Sequence, residues 1–209
     1  MSVCLPDKFK LPKAKRNAVD VLTDGEVRRL MASFVGNGFI ARRNACICAL
    51  MLDSGLRMNE VVSLTIGRVH IAEGYIIVDG KGNKQRIVPI GLYTRKALMR
   101  YLAVRPGCID RAPEETPLFV KDAFTPISRT TVKQLFRKLK KRTNIPRLKA
   151  HLLRHTFATR YLENGGDIYS LQQILGHTSL EMVRRYVHTI PRKTVVNFSR
   201  FSPLDNLPR

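Results

Sequence analysis

The segment from residue 151 to residue 186 combines residue types that can transfer phosphodiester bonds. It contains His151, Arg154, the dipeptide Gly176-His177 and Tyr186. A phenol oxygen can attack phosphorus, fixed cations can hold a phosphate and the negative charge that develops on it, and imidazoles can move protons. The combination indicates strand-breaking and rejoining chemistry on a nucleic-acid backbone.

His151 and Arg154 are three residues apart, so on a helix they share a face and can meet one phosphate together. An isolated pair of this kind is a weak signal, because on most helices it is simply solvated. His155 completes half of a zinc-binding pattern, but Leu152 stands where a zinc protease needs Glu, and no third ligand is obvious. We therefore expect no metal site.

Tyr186 follows Arg184 and Arg185. A phenol with an ordinary pKa near 10 needs positive charge and a base nearby to attack at neutral pH, and these arginines favour that role as well as DNA binding. The alternative is a tyrosine at the edge of the core with its hydroxyl bonded to backbone. Gly176 is a natural end for a helix, which leaves His177 at the turn, either as a simple cap or as a catalytic imidazole.

Arg57 precedes Glu60 by three residues in the sequence Gly-Leu-Arg-Met-Asn-Glu. The pair is either a surface ion pair, worth less than about 1 kcal/mol, or a device in which Glu60 orients the Arg57 guanidinium toward two phosphate oxygens. Both interpretations stay open at this point.

A glycine-rich turn carries further cations. Lys81 lies between Gly80 and Gly82, and Lys84 and Arg86 follow. Cations on an exposed turn are usually only solvated, but the glycines would let this tip approach a DNA strand closely. Lys81 or Lys84 could donate a proton to a leaving oxygen, and spacing does not choose between them. We assign Lys84 and Arg86 to DNA binding.

The overall charge indicates a polyanionic partner. The 209 residues include 37 Lys and Arg against 16 Asp and Glu, for a net charge of +21. Such an excess is typical of nucleic-acid binders. The alternative, an anionic membrane surface, would require a basic amphipathic helix or a lipid anchor, and neither is evident. With no secretory signal, and with Cys46 and Cys48 in an apolar run, we expect a soluble cytoplasmic protein without disulfides.

Hydrophobic periodicity and helix caps predict an α+β fold that is mainly α: a helical bundle with one small antiparallel β-hairpin. Thr23 and Glu26 fit a capping box that opens the first helix. The hairpin is predicted from Tyr75 to Ile90. The helices are predicted at 23–31, 40–52, 57–64, 93–104, 129–141, 151–163, 167–175 and 179–186.

These motifs resemble the catalytic domain of the tyrosine recombinase, or phage integrase, family. The family pattern is an arginine in a Gly-Leu-Arg-x-x-Glu box, a hairpin lysine, a His-x-x-Arg box, a Leu-Gly-His box and a tyrosine shortly after. This sequence matches all five in the same order, over roughly residues 21 to 186. The matching residues are Arg57 with Glu60, Lys81, His151 with Arg154, His177 and Tyr186.

The resemblance implies a site-specific DNA recombinase in which Tyr186 attacks the scissile phosphate and forms a 3′-phosphotyrosyl link. Arg57, Arg154 and His177 would stabilise the pentacoordinate phosphorus, while His151 would accept the phenol proton. Lys81 would protonate the leaving 5′-oxygen. The rivals are a type IB topoisomerase and a DNA-binding regulator that has lost the reaction.

The resemblance also implies the working assembly and the setting. The expected partner is double-stranded DNA, bound by a tetramer that joins two sites, with a monomer or weak oligomer in its absence. No cofactor is expected. The resemblance is compatible with accessory DNA-bending proteins, and the expected setting is the DNA of a prokaryotic nucleoid, a phage or a mobile element.

Three regions follow from this pattern: a basic arm or linker over residues 1–20, a catalytic domain over 21–190, and a tail over 191–209 that packs on its own chain or on a neighbouring protomer. Family members usually carry a helical core-binding domain ahead of the catalytic one. We expect either a member that lacks this domain or a piece of a longer protein.

Overall fold

The computed structural model describes residues 20–80, 85–107, 115–123, 125–177, 179 and 182–183. These residues form a mainly helical domain with one small antiparallel sheet, which confirms the predicted fold class. The helices are α1 Asp24–Ala32, α2 Phe39–Asp53, α3 Met58–Ser63, α4 Leu92–Leu102, α5 Arg129–Thr143, α6 Ala150–Glu163 and α7 Ile168–Leu175. The strands are β1 Val69–His70, β2 Tyr75–Asp79 and β3 Gln85–Pro89.

α1 begins with the predicted capping box. The Thr23 backbone amide donates to Glu26 Oε2 at 2.8 Å, and the Glu26 amide donates to Thr23 Oγ1 at 3.2 Å. Each side chain therefore satisfies a backbone donor that the first helical turn leaves without a partner.

The start of the described chain is held against α6. The buried Leu22 amide donates to Thr156 Oγ1 at 2.9 Å, and the Arg160 guanidinium donates to the Leu22 carbonyl at 2.9 Å and also pairs with Asp24. α6 thus binds the incoming chain along one side, and its first two turns carry His151 and Arg154.

α2 lies at the centre of the core and packs against both α4 and α6. Its residues from Cys46 to Met51 are buried, as the apolar run predicted. Burial raises the pKa of both Cys46 and Cys48, the latter to about 12, so the two thiols stay protonated and behave as small apolar side chains.

The sheet has the strand order β1-β2-β3, and all pairs are antiparallel. The hairpin β2–β3 was predicted, whereas β1 was not, because two residues are too few to show an alternating pattern. In β3, Ile87 is exposed while Val88 is buried, and Arg86 pairs with the buried Val78 of β2. Side chains alternate between the faces of a strand, so Arg86 shares the buried face with Val88.

Most other predicted helices agree with the structure to within about two residues at each end, the usual uncertainty of helix boundaries. Arg57 was predicted inside α3 but is its N-terminal cap residue. The hairpin tip at 81–84 and most of the predicted helix at 179–186 lie outside the described residues. Within the described chain, no helix has the length and apolar character needed to cross a bilayer.

Candidate active site

Arg154 and His177 meet at the end of α7. The Arg154 guanidinium donates to the Leu175 carbonyl at 2.8 Å and to the Gly55 carbonyl at 2.5 Å, and its Nη2 lies 3.0 Å from His177 Nε2. Arg154 is only 2% exposed. Because a guanidinium can only donate, His177 Nε2 is the acceptor in this contact.

The turn that carries His177 is a glycine-terminated helix end, as predicted. Gly176 has a φ of +61°, and the His177 amide donates to the Gln172 carbonyl at 3.1 Å. This pattern of a left-handed residue followed by a long return bond ends many helices. It fixes the backbone of His177 beside Arg154.

Gly55 brings a second chain segment to the same place. Its φ is +64°, and a Cβ atom there would lie 2.4 Å from Phe157 Cδ1 and 2.9 Å from Leu175 Cδ2. Only a residue without a side chain fits between α6 and α7 at this point. The Gly55 carbonyl therefore reaches the Arg154 guanidinium.

Arg57 is oriented by Glu60. The Arg57 Nη1 donates to Glu60 Oε1 at 2.9 Å, the Arg57 amide donates to Oε2 at 2.8 Å, and Arg57 Nη2 lies 3.4 Å from the Gly176 carbonyl. The Glu60 side chain is 6% exposed and that of Arg57 is 38% exposed. This is not a surface ion pair, since the carboxylate is buried and only the guanidinium reaches solvent.

Glu60 remains ionised in this setting. Burial raises the pKa of its carboxyl, but the hydrogen bond and charge of Arg86, with the hydrogen bonds from Arg57, together lower it below its ordinary value. The carboxylate is therefore a permanent anion at neutral pH.

His151 lies in the first turn of α6, and its side chain is exposed. Its ring meets that of His155 edge-on, with 4.3 Å between the ring centroids. His151, Arg57 and Arg154 line one cavity of about 270 Å³. Within the described residues, no group of His, Cys, Asp or Glu side chains has a geometry that would hold a metal ion.

The structure thus brings together five predicted site residues: Arg57, Glu60, His151, Arg154 and His177. The remaining ones, apart from Arg86, lie outside the described residues; they are Lys81, Lys84, Arg184, Arg185 and Tyr186.

Arg86 does not fit its predicted role in DNA binding. Its side chain is 12% exposed, its Nε donates to the Ile174 carbonyl at 2.8 Å, and its Nη2 donates to Glu60 Oε2 at 3.0 Å. The guanidinium therefore faces protein acceptors. The signal that sequence reasoning missed is the alternation of Arg86 with the apolar Val88 and Ile90, which points all three to the buried side of the sheet.

A sequence model of the phage integrase family matches residues 20–192. The chain belongs to the phage integrase family. Among its relatives, the tyrosine recombinase XerD of Halalkalibacterium halodurans is 33% identical over 195 residues, which are 93% of this chain and 65% of the relative. The phage integrase family member described here therefore spans slightly less than two thirds of that relative's length.

Solved structures of the family have the same fold. The XerA recombinase is 31% identical, with a TM-score of 0.71 over 92% of this chain and 67% of that one. The catalytic domain of bacteriophage HP1 integrase is 25% identical, with a TM-score of 0.63 over 90% of this chain and 98% of that one. The resemblance stated from the five motifs is therefore confirmed at the level of family and fold.

Proposed function

We propose that this protein is a site-specific DNA recombinase that cuts and rejoins DNA through Tyr186. The observation that carries the proposal is the convergence of Arg57, Arg154 and His177 at the turn at Gly176, with His151 on the same cavity as the two arginines. These residues come from three separate segments of the chain, the start of α3, the first turns of α6 and the end of α7, and packing alone does not require that they meet.

The proposed reaction is an exchange of phosphodiester bonds. The Tyr186 oxygen bonds to phosphorus while the bond from phosphorus to the 5′-oxygen breaks. The phenol proton passes to His151, and Lys81 supplies a proton to the leaving 5′-oxygen. Because the 3′-phosphotyrosyl link keeps the bond energy, a different 5′-hydroxyl can reverse the step without ATP.

The arginines would supply most of the catalytic effect. Negative charge grows on the phosphate oxygens as phosphorus becomes pentacoordinate, and donors that are already fixed need no reorganisation at that moment. Arg154 is held by two carbonyls and His177, while Arg57 is held by Glu60 and has its outer side open to the cavity. Lys84, Arg184 and Arg185 are proposed as contacts to the DNA backbone.

We further propose that double-stranded DNA is the partner and that four copies act on two duplexes. The net charge of +21 supports a nucleic-acid partner, because phosphate contacts would offset the self-repulsion of the chain. The proposed setting is the cytoplasm, at the DNA of a prokaryotic, phage or mobile-element genome. The proposed domain limits remain residues 21–190 for catalysis, with an arm before and a tail after.

The test is covalent trapping on nicked DNA. The protein is mixed with a pool of nicked duplexes of randomised sequence, in which cleavage releases a short fragment and leaves the protein attached. The expected product is an adduct that survives denaturation, maps to Tyr186 by mass spectrometry, and is lost in Tyr186→Phe. Tyr169→Phe is the matched control, since Tyr169 is an exposed tyrosine of α7 and should leave the adduct unchanged.

The same reagents separate the rivals. A DNA-binding regulator would bind the pool but give no adduct. A topoisomerase would form the adduct and relax supercoiled DNA. It would give no strand exchange between two labelled duplexes that carry the enriched sequence, which is the sequence most frequent among the trapped adducts. Joining of strands from the two duplexes is the result expected for a recombinase.

A further inference from the structure

Arg86 is the one arginine of β3, and it points into the protein. It lies opposite Val78 on the buried face of the sheet. Enclosing a guanidinium is costly unless its donors find acceptors, so the contacts it makes indicate its role.

The first contact is a two-atom pairing with Glu60. Arg86 Nη2 donates to Oε2 at 3.0 Å, and Nη1 lies 3.0 Å from Oε1. Both carboxylate oxygens also accept from Arg57, at 2.8 Å and 2.9 Å. Glu60 is therefore held between two arginines, one buried and one open to the cavity.

The second contact is with the end of α7. Arg86 Nε donates to the Ile174 carbonyl at 2.8 Å, one of the last carbonyls of the helix, which have no partner within it. A Cβ atom on Gly176 would lie 3.1 Å from this Nε, so the guanidinium packs directly beneath the turn that leads to His177.

We infer that Arg86 is a positioning residue for strand cleavage. It fixes Glu60, and through it the direction of Arg57, while its bond to the Ile174 carbonyl at the end of α7 holds its own guanidinium in place. It acts through these groups and does not touch the DNA. The inference deepens the proposed function and rests on it.

The test compares the rate of cleavage with the affinity for DNA. In Arg86→Gln, single-turnover adduct formation on the enriched nicked duplex should slow by about 10- to 100-fold, as for other partners that orient reacting groups. The dissociation constant should change by less than about threefold, and its salt dependence should stay the same. Loss of a residue that binds phosphate would instead reduce the steepness of the salt slope, the slope of the logarithm of affinity against the logarithm of salt concentration, by about 0.9.

A double-mutant cycle tests whether Arg86 works through Arg57. Arg57→Gln alone should slow cleavage by about 10² to 10³-fold, as for loss of a donor to a developing charge. Adding Arg86→Gln to it should slow cleavage by less than about threefold more, because the Arg57 guanidinium that Arg86 orients is then already absent. Arg86→Lys should recover only part of the rate, since an ammonium cannot copy the two-atom pairing.

Arg105→Gln is the matched control for loss of a structural arginine. Arg105 also donates to backbone carbonyls, those of Pro117 and Leu118, but it contacts neither Glu60 nor Arg57. All rates are compared well below the melting temperature of each variant, so that unfolding does not contribute.

The outcomes are distinct. The inference is overturned if Arg86→Gln slows cleavage no more than Arg105→Gln does, if its effect multiplies with that of Arg57→Gln, or if it lowers the salt slope. Absence of any wild-type adduct overturns the proposed function, and the inference with it. Wild-type cleavage with unaltered Arg86→Gln cleavage overturns the inference alone.

Discussion

Glu60 determines the geometry of the site although it lies behind the residues that face the cavity. Its carboxylate is buried, and both of its oxygens are shared between Arg57 and Arg86. A single anion therefore holds two cations at a fixed separation. Loss of that charge should therefore disturb both arginines at once.

Glu60→Gln keeps the shape of the side chain and removes its charge. We expect the free energy of unfolding at pH 7 to fall by about 1.5 to 3 kcal/mol, the range for hydrogen bonds to charged groups, together with slower cleavage. The pKa of Glu60 is depressed below its ordinary 4.5, so its stabilising effect is present above pH 4.5 and lost as the pH falls through the folded value.

Chemical denaturation of wild type and Glu60→Gln across this range checks the sign. The difference in unfolding free energy should be constant near neutrality and shrink as the solution becomes acidic. A difference that grows toward low pH would show that the carboxyl is not ionised in the fold.

Gly55→Ala tests the close approach of the chain to α6. A left-handed backbone costs an alanine about 1 to 2 kcal/mol, and the clash with Phe157 should add about 1 to 3 kcal/mol. Gly165→Ala is the matched control, because its φ of +92° is also positive but a Cβ atom there meets nothing within 4 Å. Equal losses in the two variants, measured by denaturant titration, would rule out the steric contribution.

At the scale of elements, α6 has two roles, which belong to residues on different sides of the helix. Its first two turns present His151 and Arg154 to the site, while Thr156 and Arg160 hold the chain around Leu22. The two groups of contacts involve different residues, so the fastening of the incoming chain should be separable from catalysis.

Thr156→Val tests this separation. It preserves the shape of the side chain but leaves the buried Leu22 amide without its acceptor, which should lower the unfolding free energy by about 1 to 3 kcal/mol while the cleavage rate of the folded protein stays unchanged. Thr159→Val on the same helix is the control. The Thr159 hydroxyl is buried and has no hydrogen-bond partner among the described residues, so its loss should be neutral or stabilising.

How far the sequence predicts these elements depends on how local each signal is. The capping box of Thr23 and Glu26 lies within four consecutive residues, and the hairpin pattern within about sixteen, so both were readable. β1 was missed because its two residues are strand only through pairing with β2. The place of Gly55 against Phe157 depends on contacts between segments far apart in the sequence, which no local pattern contains.

The candidate site divides in the same way. The residue types of Arg57, Arg154 and His177 were apparent from their motifs, but their common meeting point at Gly176 depends on tertiary packing. For Arg86 the local sequence pattern was enough to predict its burial. Its alternation with Val88 and Ile90 predicts a buried side chain, and the expectation that hairpin cations face solvent concealed this.

At the scale of the whole molecule, charge should govern binding to DNA. With a net charge of +21, affinity should fall steeply with salt, by about 10³ to 10⁵ between 50 and 200 mM if about six to ten phosphates are contacted. Fluorescence anisotropy with a labelled duplex at several salt concentrations measures this slope. Affinity that is nearly independent of salt would contradict a binding mode based on phosphate contacts.

The two buried thiols of α2 have a practical consequence. Because Cys46 and Cys48 lie in the centre of the core with raised pKa values, an alkylating reagent can modify them only during transient openings. The labelling rate of the peptide that contains them, followed by mass spectrometry, therefore measures how often the core opens under native conditions. A comparison of this rate with and without DNA would show, without denaturant, whether bound DNA makes openings of the core around α2 less frequent.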